Sequence, residues 1–256
     1  MPLRLVSYNI RFGGRGREAL IAKALGPANP DIVVLQEATY PYVVERVAAA
    51  LDMPYWAARR RHSLAFMSRW PVTHEWLALR GVRHPFLKIV AAAPTDAGAA
   101  ETEPRLTIFG VHLQPYFSAQ SERRRVWEVR SLLSAVDDGS AHALVGDFNA
   151  VAPGDDVQTW RMPLWIRLLI RAGGGRIPRD AIALLQESGY IDGYRRLHPA
   201  GDGFTFPALA PHVRLDYVFL PTDRISSLKA CRVCDAEHEL VSRASDHYPL
   251  LAVLDV

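Results

Sequence analysis

The sequence predicts an α/β (α+β) sandwich: two mostly antiparallel sheets packed face to face, with helices on both outer faces. Three observations carry this. Strand-length apolar runs recur along all 256 residues. Some are joined by tight turns, which imply antiparallel pairs, and others by amphipathic helical stretches, which imply covered sheets. The chain is 49% hydrophobic and 22% charged, with no Ser/Gly- or Pro-rich linker and no internal repeat. Residues 1–256 therefore read as one domain.

Leu3–Ile10 reads as the first strand, and Arg17–Leu25 as a short helix ended by Gly26-Pro27. Asp31–Gln36 is continuously apolar in its middle, as a strand buried on both faces should be. Tyr42–Leu51 reads as a helix. Ser63–Ser68 and Val72–Leu79 are strands around the Arg69-Trp70-Pro71 turn, followed by a strand at Leu87–Ala93. Pro94–Pro104 reads as a hairpin loop returning into Arg105–Leu113. Ser118 is placed to cap a helix that runs to about Val136. Ala143–Gly146 is a short buried strand. Leu164–Arg171 and Arg179–Ser188 read as helices split by Gly173-Gly174-Gly175. Strands at Leu215–Leu220, Leu228–Cys234 and Leu250–Val256 complete the chain.

The net charge of +3 is compatible with a phosphorylated or polyanionic substrate without demanding one. The clusters Arg59–Arg61 and Arg123–Arg125 read as solvated faces. Cys231 and Cys234 lack the further ligands a zinc site needs, and read as structural thiols. The N-terminus enters a strand with no signal-like apolar region. No apolar run reaches the ~20 residues of a membrane span. The expected location is the cytoplasm.

Polar residues punctuate the strands in a recurring way. Asn9 and Glu37 end two of them, His112 lies at the end of a third, and Asp147 and Asn149 follow a fourth. Asp216 starts a strand, and Asp246-His247 precede the last one. Any single Asp or Asn there is more often a turn or cap residue. Six such places together suggest a shared rim, where sheet-built sites collect their groups. Glu37, Asp246 and Asn9 are hard oxygen donors suited to Mg²⁺ or Mn²⁺. Asp147 and His247 offer acid–base capacity, and Asp216 could hold an imidazole in one tautomer. No G-x-S-x-G elbow or P-loop is present. Gly13-Gly14-Arg15-Gly16 reads as a flexible turn.

Taken in order, SYN at Asn9, LQE at Glu37, HL at His112, GDFN at Asp147–Asn149, LDYVF at Asp216 and SDHYPL at Asp246-His247 resemble the endonuclease/exonuclease/phosphatase superfamily. The resemblance runs from Asn9 to Leu250. It implies the DNase I-like four-layer sandwich and a divalent-metal phosphoesterase. It makes Glu37 the principal Mg²⁺ (or Mn²⁺) ligand, assisted by Asn9 and Asp246. Asp147 would orient or deprotonate the attacking water, Asn149 and His112 would hold phosphate oxygens, and Asp216 would brace His247. Either Asp147 or the Asp216–His247 pair could be the base. The chain resembles exonuclease III-like AP endonucleases less, since they carry Tyr where His112 stands and an acid where Arg11 stands. The His112 form resembles the branch of bacterial metal-dependent hydrolases. The implied activity is nuclease-like phosphodiester hydrolysis, with phospholipase C- or sphingomyelinase-like hydrolysis of a phospholipid or small phosphoester as the alternative. No obligate protein partner is evident.

One stretch stands outside these motifs. In TWRMPLWIRLLIRAGGG, Trp160, Met162, Leu164, Trp165, Leu168 and Leu169 interleave with Arg161, Arg167 and Arg171. The favoured expectation is that its apolar face packs on the sandwich. The alternatives for residues 160–171 are peripheral membrane contact or a nucleic-acid groove.

Overall fold

The computed structural model describes residues 2–92, 104–136 and 140–256. In chain order the elements are β1 (Pro2–Asn9), α1 (Glu18–Leu25), β2 (Ile32–Gln36), α2 (Pro41–Ala50), β3 (Tyr55–Ala58), β4 (Ala65–Ser68), β5 (Val72–Leu77) and β6 (Phe86–Ala92). They continue with β7 (Pro104–His112), α3 (Ala119–Ala135), β8 (His142–Asp147), α4 (Leu164–Ala172), α5 (Asp180–Glu187), β9 (Tyr190–Asp192) and α6 (Gly193–Leu197). The last are β10 (Asp216–Pro221), β11 (Leu228–Val233), α7 (His238–Ala244) and β12 (Leu250–Asp255).

The strands form two six-stranded sheets, in the orders β11-β12-β1-β2-β4-β3 and β5-β6-β7-β8-β10-β9. Period-2 alternation explains the layers. In β2, Ile32 and Val34 join a core between the sheets with Leu3, Leu5, Ile89, Ile108 and Val145. Val33 and Leu35 point the other way, into a core with Ile21, Val43, Val47 and Val241 of α1, α2 and α7. On the far side of the second sheet, Phe109, Leu144 and Phe219 pack on Val129 and Leu132 of α3 and Ile182 and Leu185 of α5. The result is helices, sheet, sheet, helices. Cys231 enters the inter-sheet core and Cys234 the outer one, so the two thiols are free and face different layers.

Ser118 caps α3 as expected, accepting the Ser121 N–H at 3.1 Å. The sequence does not predict the short edge strands β3 and β9 or the short helices α6 and α7. Their few residues carry no clear period. Of the expected 94–104 hairpin loop, only Pro104 falls among the described residues. The glycine run after β1 is a correction. Gly13 and Gly14 are buried in a packed turn, where a Cβ on Gly13 would lie 2.3 Å from the Tyr40 ring. Arg125 is another: it is fully buried, paired with Glu122 at 2.6 Å, and it donates to the Gln114 and Tyr116 carbonyls.

Among the described residues two pairings are parallel, β1 with β2 and β7 with β8, and each is spanned by a helix. In-register parallel strands end together, so Asn9 pairs with Gln36 beside Glu37, and His112 pairs with Asp147. β10 and β12 run antiparallel to these pairs. Their beginnings therefore reach the same rim. This is why Asp216 and Asp246-His247 stand at strand starts while the other polar residues stand at strand ends.

Candidate active site

The rim brings the polar residues of both sheets into one chain of contacts. Asn9 is buried and donates from Nδ2 to Asp147 Oδ2 at 3.0 Å, across the sandwich, and to Glu37 Oε1 at 3.3 Å. Its own Oδ1 accepts the Arg11 N–H at 2.9 Å. Glu37 is half-buried; its Oε2 accepts the Phe12 N–H, and its own N–H donates to Ser63 Oγ at 3.0 Å. Asp246 is more open. Its Oδ2 faces the Arg11 guanidinium at 3.4 Å.

Asp147 is almost fully buried and is held from several sides. Asn149 donates its N–H to Oδ1 at 2.9 Å and its Nδ2 to Oδ2 at 3.2 Å. Two imidazoles flank the same Oδ2, His112 Nε2 and His247 Nε2, each at 3.8 Å. That is too long for a direct hydrogen bond and short enough for charge attraction. Burial raises the Asp147 carboxyl above the usual carboxylate range, while His247 opposes the shift.

His247 donates from Nδ1 to Asp216 Oδ2 at 2.8 Å, and the Phe206 ring covers it at 4.9 Å between centroids. Burial alone would discharge this imidazole. Asp216 and Asp147 outweigh burial and push it up to about 10, so it is an imidazolium at neutral pH. His112 has the opposite fate. Burial lowers it to about 4 against the pull of Asp147, and it stays neutral. Its Nδ1 contacts Ser63 Oγ and its ring stacks on His84 at 5.1 Å. Because Ser63 Oγ already accepts from Glu37, its hydroxyl proton can go to His112 Nδ1. That leaves Nε2–H as a donor toward the site.

Backbone strain collects at the same place. Arg11, Phe12, Glu37 and Asn149 all hold positive φ, from 47° to 58°. Such conformations cost roughly 1–3 kcal/mol each and persist where surrounding contacts fix them. The start of β10 is pinned from behind. Arg214, buried, pairs with Asp155 at 2.7 Å and with Asp192 at 2.5 Å, and Thr205 Oγ1 accepts the Asp216 N–H at 3.3 Å.

All eight residues singled out in the sequence thus lie along one rim. The supports Ser63, His84, Thr205, Phe206, Arg214 and Ser245 are not among them. Ser245 stands inside SDHYPL and is the one a closer reading could find: its Oγ bonds the Asn9 carbonyl at 2.6 Å and approaches the His247 N–H at 3.3 Å. A cleft of about 1180 Å³ opens beside Asn149 and His247, walled by Tyr116, Phe117, Phe206 and Trp165.

The packing expected of residues 160–171 is found only at Met162 and Ile170. Of α4 only Ile170 is buried, while Leu164, Trp165, Leu168 and Leu169 are each more than half exposed. The helix and its apolar period are present, but the sandwich covers only the Ile166–Ile170 side.

The family model for the endonuclease/exonuclease/phosphatase family matches residues 6–247. The chain belongs to that family. Family members are phosphoester hydrolases, and this member is an enzyme of that kind. Solved structures agree on the DNase I-like fold. An AP endonuclease from Archaeoglobus fulgidus superposes with a TM-score of 0.76 at 19% identity, covering 99% of this chain and 100% of that one. A variant of the 3' phosphatase NExo from Neisseria, bound to product DNA hairpin, gives 0.69 at 17%, covering 99% and 100%. A humanized D. rerio TDP2 gives 0.65 at 16%, covering 100% and 99%. No curated protein matches the sequence at a significant level. Among the described residues no helix is long and apolar enough to cross a membrane.

Proposed function

We propose that this family member is a divalent-metal-dependent phosphodiesterase that uses in-line attack of water. The observation that carries this reading is the Asp216–His247–Asp147 line, which meets the cleft beside Asn149. Glu37, Asp246 and Asn9 would hold the cation. The two carboxylates and the Asn9 amide Oδ1, which here accepts the Arg11 N–H at 2.9 Å, make an all-oxygen set that fits Mg²⁺ or Mn²⁺. When bound, the cation supplies charge neutralisation at the non-bridging phosphate oxygens.

Asp147, Asp216 and His247 also carry ligand-capable atoms within 4.8 Å of one another. His247 Nδ1 is committed to Asp216 Oδ2 at 2.8 Å, which leaves Nε2 to face Asp147 and the phosphate. That supports an acid–base role for this trio. Asp147 orients the water and takes its proton. His247 donates from Nε2 to the phosphate, and Asp216 keeps it charged and aimed. The Asn149 amide and the neutral His112 Nε2–H supply further donors to phosphate oxygens.

Nuclease-like substrates come first, in keeping with neighbours named as an AP endonuclease and a 3' phosphatase bound to DNA. One observation favours a phospholipid as second reading, the exposed apolar α4 at the cleft edge. The test is turnover of bis-p-nitrophenyl phosphate, plasmid DNA and phospholipid micelles in Mg²⁺ and in Mn²⁺. Diester hydrolysis above p-nitrophenyl phosphate hydrolysis is expected. A chain that leaves every diester intact in both metals is not a phosphodiesterase.

A further inference from the structure

The exposed face of α4 has a chemistry that neither solvent nor the fold explains. Leu164, Trp165, Leu168 and Leu169 stand at i, i+1, i+4 and i+5, one side of a helix. They are 57–66% exposed, and Trp160, just before them, is 70% exposed. Exposed single apolar residues are ordinary, but a contiguous set of five is not. Ile166 and Ile170 turn the opposite way and fasten the helix to the cleft wall.

Charge completes the pattern. From Val157 to Arg179 the chain carries five arginines and no acidic residue. Arg167 and Arg171, one turn apart, flank the apolar side. Arg167, Arg171 and Arg176 are exposed and make no side-chain hydrogen bond or ion pair with a described residue. Trp165 and Leu169 also line the cleft that reaches Asn149 and His247. The apolar face and the cleft are therefore one continuous surface.

We infer that α4 is an interfacial docking helix that seats the mouth of the active site on an anionic phospholipid bilayer. A helix of nine residues is too short to span a membrane and lies along its surface. Trp160 and Trp165 suit the headgroup boundary, the leucines suit the acyl region, and the arginines meet the anionic headgroups. Single-stranded nucleic acid fits this face less well. It would reward the tryptophans by stacking, but Leu164, Leu168 and Leu169 present no planar ring to a base. The inference rests on the phospholipid reading of the substrate and deepens it, because a cleft mouth seated on a bilayer meets lipid before nucleic acid.

The test is co-sedimentation with vesicles of phosphatidylcholine alone or mixed with phosphatidylglycerol. It uses the full chain carrying Asp147→Asn, so that binding is scored without turnover. Pelleting with the anionic vesicles is expected, weakened by salt. Adding Leu164→Gln and Leu168→Gln should lower the bound fraction about tenfold, and Arg167→Gln with Arg171→Gln should lower it at the anionic vesicles only. Circular dichroism and thermal unfolding of each variant serve as the control, and these exposed substitutions are expected to leave both unchanged. A chain that stays in the supernatant with anionic vesicles overturns the inference. So does vesicle binding untouched by the leucine pair. If the leucine pair instead abolishes retention of single-stranded DNA, or splits a dimer seen by sedimentation velocity, the face belongs to those partners and not to a bilayer.

Discussion

The polar rim and α4 invert the usual rule of burial in opposite directions. At the rim, Asn9, His112, Asp147, Asp216 and His247 are polar and nearly inaccessible, and neighbouring groups hold each of them. In α4, Leu164, Trp165, Leu168 and Leu169 are apolar and open, and nothing described covers them. Buried polar groups and exposed apolar patches are the informative departures from an ordinary surface. The difference teaches that they serve two kinds of work. The rim fixes charge in place, with strained backbone and supporting hydrogen bonds. α4 keeps a sticky surface available, with almost no tertiary contact. Substitutions should therefore be severe at the rim and mild for folding in α4.

The largest expected effect is at Asp147. Asp147→Asn removes the proposed base and keeps the shape, so turnover of a diester should fall about 10³-fold while the far-ultraviolet circular dichroism is unchanged. Near-normal rates would take Asp147 out of the mechanism. Next is Gly146→Ala, beside it in β8. A Cβ there would lie 2.0 Å from the Val111 carbonyl oxygen, and φ is +153°. Unfolding in urea should show a loss of about 3 kcal/mol or more. A stable Gly146→Ala protein would mean that the β7–β8 pair yields more than the rim's geometry implies.

Smaller still is the effect of Leu164→Gln with Leu168→Gln on stability. Exposed positions usually shift it by less than about 0.5 kcal/mol each. A larger loss in thermal unfolding would show that α4 is buried in solution and would remove the contrast.

The pH dependence sharpens the rim's side of the comparison. His112 and His84 are lowered to about 4 by burial, so the unfolded chain binds protons first. Their contribution is complete above about pH 6.5 and is lost as pH falls through about 4. His247, raised to about 10, behaves oppositely: its contribution is complete below about pH 6.5 and is lost as pH rises through about 10. Urea midpoints across pH should show an acid limb that is shallower in His84→Gln and an alkaline limb that is flattened in His247→Gln.

Much of the rim is legible in the sequence because each motif is short and sits at a strand end. The apolar run and the position of the polar residue that ends it both survive in a local stretch such as VVLQE or ALVGDFN. Apart from Ser245, its supports are not legible. Ser63 with His112, Arg214 with Asp155 and Asp192, and Phe206 over His247 join residues that no local pattern links. Only the topology brings them together. α4 shows the converse limit. Its period identifies an apolar side, but periodicity says nothing of what, if anything, covers that side.

The central claim is that the strand ends form one metal-dependent hydrolytic site with Glu37 as a principal ligand. The most direct measurement is the initial rate of bis-p-nitrophenyl phosphate hydrolysis by metal-stripped chain titrated with Mn²⁺, for the wild type and for Glu37→Gln. The account predicts no turnover in EDTA and saturable recovery with Mn²⁺. It also predicts a Glu37→Gln curve displaced about tenfold or more to higher Mn²⁺. Turnover that persists in EDTA, or two superimposable titration curves, would contradict it.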